Sequence, residues 1–197
     1  MAFSVGLLLQ SLGQTIYSYY IYYERIDVPY PSLGDVGFFG TIPAYIYGVF
    51  LLARTSGAKI SLKSFANKIW ALIVPISMLM MSYIFFLKDY EFDWSQPLTI
   101  FLDFGYPLGQ AIYVSLATLT LFLSIKVLGG VMKGPVLFLL FALIVQYLAD
   151  YMFLYEVSHD SWRVGTENDL LYSFSYLLMG LALIYIGQVF KKIAENK

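Results

Sequence analysis

Six stretches of about twenty predominantly apolar residues occupy almost the whole chain, at about 3–23, 35–54, 68–87, 98–125, 135–156 and 168–190. A helix needs roughly 20 such residues to cross the hydrocarbon core of a bilayer. Hydrophobic residues make up 59% of the 197, charged residues only 13%, and the mean hydropathy is +0.70. A soluble domain carries about 25% charged residues. The expected fold is therefore all-α, a polytopic membrane bundle of six transmembrane helices. It forms one unit over 1–190, followed by a short basic tail at 191–197. The first stretch lacks a basic start and a small-residue cleavage site, so it reads as a span and not as a cleaved leader.

Charge placement predicts the orientation. Arg54, Lys59, Lys63 and Lys68 lie between spans 2 and 3, Lys126 and Lys133 between spans 4 and 5, and Lys191, Lys192 and Lys197 in the tail. Only Arg25, Lys88 and Arg163 fall on the other side, together with every acid except Glu195. Basic loops stay in the cytoplasm, so both termini are expected there, in a plasma membrane. The net charge of −1 gives no basic field, and nucleic acid is excluded as a partner.

The inventory removes several chemistries. With no cysteine there is no disulfide, thiolate nucleophile or iron–sulfur cluster, and His159 is the single histidine. No lysine lies in the interior of a span, and G-x-S-x-G, H-E-x-x-H and P-loop motifs are absent. No catalytic residue, metal site or cofactor is called for.

Polar residues at membrane depth are costly and mark the candidate site. Gln10, Gln14 and Tyr17 share one face of span 1 at i, i+4, i+7. Asp103, Tyr106 and Gln110 do the same on span 4 at i, i+3, i+7, and Gln146 and Asp150 on span 5 at i, i+4, beside Tyr151. With Asp35 at the start of span 2, these residues predict a polar pocket in the outer half of the bilayer, among spans 1, 2, 4 and 5. The competing explanation is interhelical glue, in which Gln and Asp bond across helices at roughly 0.6–2 kcal/mol each. Asp150 is the sharpest of the set, because no basic residue lies within a turn of it. It could be a proton-sensitive switch, a cation or amine ligand, or a protonated donor. Its face is expected to point at Gln14 of span 1. Many of the 18 tyrosines sit near span ends, as an aromatic belt would place them.

An internal repeat is expected from Tyr30-Pro31-Ser32-Leu33-Gly34-Asp35 and Tyr106-Pro107-Leu108-Gly109-Gln110, which suggest three duplicated hairpins. Proline suits a first helical turn, an acid there caps free amides, and glycine permits close helix approach. Pro43 and Pro75 lie inside spans, where each removes a backbone hydrogen bond.

Those two elements, the aromatics Phe38 and Phe39, and Ala149-Asp150-Tyr151-Met152-Phe153 resemble a known pattern. It is that of the multi-helix membrane sensor regions preceding cytoplasmic diguanylate cyclase or histidine kinase modules in bacteria and archaea. Gln110 stands here where the pattern has a second acid. The resemblance implies a signalling role without defining a ligand. Three functions are thus carried forward. The first is a sensor or receptor-like module with a small or lipidic ligand and a cytoplasmic signalling partner. The second is a solute-binding transport subunit with an ATPase partner. The third is an intramembrane hydrolase pairing Asp150 with Asp35 or Asp103. No enzyme activity is expected of the first two, and a homodimer is compatible with either.

Overall fold

The computed structural model describes residues 1–56, 63–88, 90–125, 129–159 and 161–195, and all regular structure among them is helical. Lys59, Asp89, Lys126, Asp160 and Lys197, used in the charge argument, lie outside the described residues.

The first helix, α1 (Ala2–Ser18), continues without a break into a π-helical segment, Tyr19–Glu24. That segment stops at Arg25, whose left-handed φ of 56° turns the chain away. Helix α2 (Leu33–Thr55) begins at a capping box. Ser32 Oγ accepts from the Gly34 N–H, and the Asp35 carboxylate accepts from the Ser32 N–H at 2.7 Å, so two of the free amides are satisfied. Helix α3 (Phe65–Ser82) also ends in a π turn, Tyr83–Leu87. Helix α4 (Pro97–Ser124) opens on proline, whose missing N–H is not needed there. Helices α5 (Lys133–Ser158) and α6 (Glu167–Glu195) complete the chain, and α6 carries Glu167 and Asp169 in its first turn, where the helix dipole favours acids.

Five of the six helices, α2 to α6, are long and apolar enough to cross a membrane. Helix α1 is not among them even with its π extension, since Gln10, Gln14 and its serines and tyrosines make it less apolar. Pro43 and Pro75 sit inside α2 and α3 as expected, and Pro107 inside α4 joins them. Ser82 of α3 donates its hydroxyl to the Pro107 carbonyl at 3.0 Å, which ties α3 to α4 beside this proline.

Helices α1 and α2 pack as one pair and α5 and α6 as another, while α4 lies centrally against α2, α3 and α5. The result is a ring in the order α1, α2, α4, α5, α6, closed by a sparse seam between α6 and α1. Helix α3 stands outside the ring on α4. Tyr45 and Val49 of α2, Tyr113 and Val114 of α4, Leu140 and Leu143 of α5, and Met179 of α6 fill the middle of the ring and are essentially inaccessible. Large apolar side chains such as Ile76, Phe122, Leu177 and Ile184 point outward, as a lipid solvent requires.

The α1–α2 contact depends on glycine. A Cβ on Gly37 would come within 2.5 Å of the Leu9 carbonyl oxygen and 2.7 Å of the Gly13 nitrogen, so the two backbones touch at this level. Small residues at such crossings are what let helices associate where lipid removes the hydrophobic drive. Among the described residues the one ion pair is Lys191–Glu195 at 3.9 Å, on the exposed end of α6. Among the described residues the interior is held by packing and hydrogen bonds, several of them to carboxylates.

Candidate functional site

Each carboxylate at depth is held by tyrosine hydroxyls, and the three sites lie on different seams of the bundle. Asp150 of α5 points into the ring. Tyr113 of α4 donates to its Oδ2 at 2.7 Å; Gln146 of α5 and Tyr172 of α6 donate to its Oδ1, each at 3.0 Å. Gln146 in turn accepts from Ser175 of α6 at 2.6 Å, which ties α5 and α6 together one turn deeper. The Tyr45 ring meets Tyr113 edge-on at 5.8 Å, and its own hydroxyl is buried with no hydrogen-bond partner.

This corrects the expectation for Gln14. Asp150 faces inward, but its partners come from α4 and α6 and not from α1. Gln14 and Gln10 instead both donate to Tyr176 Oη of α6, at 3.2 and 2.8 Å. The reason is the ring order: α6 lies between α1 and α5, so the polar stripe of α1 meets α6 first.

Asp35 serves two functions at once. Its Oδ2 closes the capping box, while its Oδ1 accepts from Tyr106 of α4 at 2.7 Å, linking α2 to α4. Asp35→Asn retains one acceptor oxygen and is expected to cost under about 1 kcal/mol, whereas Asp35→Ala loses the cap as well as the tie and should cost about 2 kcal/mol. Chemical unfolding of the two variants in mixed micelles checks this. Equal losses would show that the cap contributes nothing.

Asp103 lies at the same end of α4 and accepts from Tyr30 at 2.6 Å and from Tyr90 at 2.7 Å. Tyr90 belongs to the 88–96 connection, and its phenol is pushed up to about 12 by desolvation and by the Asp103 hydrogen bond. In the same connection, Ser95 donates its hydroxyl and amide to Asp93, holding that carboxyl below its usual range. Asp103 and Tyr90 border an open depression of about 470 Å³ with Lys88 and Glu91.

Another, less open hollow lies on the sparse seam between α1 and α6. A cleft of about 560 Å³ opens there, lined from α1 by Gln10, Gln14 and Tyr17. Asp169, Tyr172 and Tyr176 of α6 form the facing wall, and Trp162 of the preceding connection closes one end. That volume falls within the usual range for small-molecule sites, about 300–1,000 Å³. Tyr172 is the link inward, because it lines the cleft and donates to Asp150.

Of the ten residues singled out from the sequence, Gln10, Gln14 and Tyr17 line this cleft. Gln146 and Asp150 stand behind it, Asp35 and Tyr106 pair at the α2–α4 contact, and Asp103 borders the second depression. Tyr151 packs on Phe86 at 4.9 Å and donates to Ser82 at 3.2 Å. Gln110 is buried with its Oε1 unpartnered. The structure thus divides the set among several places and does not converge it between spans 1, 2, 4 and 5.

Sequence reasoning missed Tyr113, Tyr172, Ser175 and Tyr176. Two signals were present. Tyr113 extends the Asp103, Tyr106, Gln110 stripe by one more turn, and Asn168, Tyr172, Ser175 and Met179 recur at helical spacing on α6. Asn168 is wholly buried there and donates to the Ala149 carbonyl at 3.0 Å.

No family model, curated protein or solved structure matches this chain. The class defined by the fold is a multi-pass helical membrane protein.

Proposed function

We propose that the chain is a membrane-embedded sensor or receptor-like module of six spans, with α1 and its π extension as the sixth. In this reading a small or lipidic molecule enters the α1–α6 cleft and changes how α6 packs. The observation that carries it is the position of Tyr172, one face on the cleft and its hydroxyl on Asp150. An occupant that draws on the Tyr172 hydroxyl would compete with Asp150 and reach Tyr113 of α4 through the shared carboxylate. Such coupling favours a module whose occupant alters helix packing over one that merely holds a solute. A cytoplasmic signalling partner would read the movement at the end of α6.

The test is native mass spectrometry of the protein extracted from its own membrane. The wild type is expected to carry a small-molecule adduct, which Ser173→Trp loses because the indole fills the cleft. An identical adduct in both proteins, or none in either, removes the support for this reading.

The same proposal puts both termini in the cytoplasm and the 88–96 connection outside. Since the chain has no cysteine, Glu91→Cys is a unique label site at an exposed position. Impermeant maleimide is expected to label it in intact cells. Labelling only after lysis would reverse the orientation.

A further inference from the structure

The walls of the α1–α6 cleft are aromatic to an unusual degree. Tyr17 and Tyr22 stand on one side, Tyr172 and Tyr176 on the other, and Trp162 at the end. The Tyr172 and Tyr176 rings are stacked with centroids 5.7 Å apart, and Trp162 is braced edge-on by Phe153 at 5.8 Å. Ring faces attract cations through their quadrupoles. Hydrogen bonding strengthens this here, because the Tyr172 hydroxyl donates to the Asp150 carboxylate and leaves its ring richer in electrons.

The one charged residue in the cleft lining is acidic, and Arg163 lies in the chain between the lining residues Trp162 and Val164. Asp169 lies in the lining, and Glu156 and Glu167 are close enough to it to form a mutually repelling group. No lysine or arginine is among the lining residues, and none of these three acids is in an ion pair among the described residues. The acids do not converge on a point: among the described residues no three His, Asp or Glu side chains could hold a metal ion together. Aromatic walls and a lining carboxylate, without metal-ligand geometry, match a soft organic cation.

We infer that the cleft takes a quaternary alkylammonium group, as in free choline or a phosphatidylcholine headgroup. This deepens the function proposed above and rests on it. The ammonium sits between the tyrosine faces with Asp169 as its counter-charge. Asp169 keeps an oxygen on the Gly165 N–H at 2.5 Å, which orients the carboxylate without neutralising it.

The experiment uses protein with Trp70→Phe and Trp94→Phe in phosphatidylglycerol nanodiscs, so that Trp162 is the one remaining indole. Its fluorescence is followed against choline and against 3,3-dimethyl-1-butanol, the neutral isostere. Choline is expected to give a saturable change at least tenfold tighter than the isostere. Asp169→Asn keeps the Gly165 acceptor and should weaken choline about tenfold while leaving the isostere unchanged. Tyr22→Leu, at an exposed wall position, should weaken choline in a bundle that remains folded by circular dichroism. A response only when phosphatidylcholine is added to the discs assigns the ammonium to a lipid; a response to choline alone assigns it to a free solute. Equal affinity for choline and its isostere overturns the ammonium inference and leaves the cleft reading standing. Silence toward choline and phosphatidylcholine, in a protein that still carries the Ser173-sensitive adduct, does the same. Silence with no adduct overturns both.

Discussion

Replacing Asp150 by leucine is expected to destabilise the bundle by about 3 kcal/mol, the sum of three buried donors at roughly 1 kcal/mol each. Tyr113, Gln146 and Tyr172 all donate to this carboxylate. The two hydroxyls come from α4 and α6, so the loss falls on α4–α5 and α5–α6 packing together. Asp150→Asn retains an acceptor oxygen of the same size and should cost less than about 1 kcal/mol, in the range of ordinary interhelical bonds in bilayers. Tyr113→Phe should fall between the two. Reversible unfolding in mixed micelles measures the series. A leucine variant as stable as the wild type would show that the network is ornamental and the ring held by packing alone.

The second large effect is expected at Gly37. A leucine there has nowhere to go, because its Cβ would lie 2.5 Å from one backbone atom and 2.7 Å from another, and backbone cannot rotate aside. Overpacking of this kind costs about 1–3 kcal/mol, and the rigid neighbour puts Gly37→Leu at the upper end. The neighbouring glycines supply the contrast. A Cβ on Gly40 meets only the flexible Leu9 side chain at 3.3 Å, and one on Gly180 meets nothing within 4 Å, so both alanine variants should stay near wild type. If Gly37→Leu were as stable as Gly180→Ala, the close α1–α2 crossing would be wrong. Because Gln10 and Gln14 ride on α1, the same variant should also widen the cleft and lower its occupancy.

The helices were legible because lipid imposes a length on any apolar stretch, and the ends of α2 to α6 fall close to where hydropathy put them. The start of α2 was legible in finer detail, since Ser32 and Asp35 carry a capping signature that does not depend on tertiary contacts. What could not be read was which helix stands opposite which. The spacing of Gln10 and Gln14 states that they share a face, but the identity of Tyr176 as their partner follows from α6 closing the ring. Tyr172 and Tyr176 were hidden for a different reason. A tyrosine near a span end looks the same whether it belongs to an interfacial belt or turns inward to a carboxylate. The π turns ending α1 and α3 also carry no sequence signal that periodicity could detect.

The seam that carries the cleft joins the first helix of the chain to the last, and this sets an order of events during synthesis. When α5 has entered the membrane, Asp150 can already accept from Tyr113 and Gln146, yet Tyr172 and Ser175 do not exist until α6 has been made. Through that interval the growing protein has an incompletely satisfied acid at the flank of α5, and Gln10 and Gln14 have no tyrosine to meet. Arrival of α6 resolves both deficits in one step. The binding cleft and the completed polar core therefore come into being together, so a chain interrupted before α6 should be recognisable to membrane quality control as unfinished.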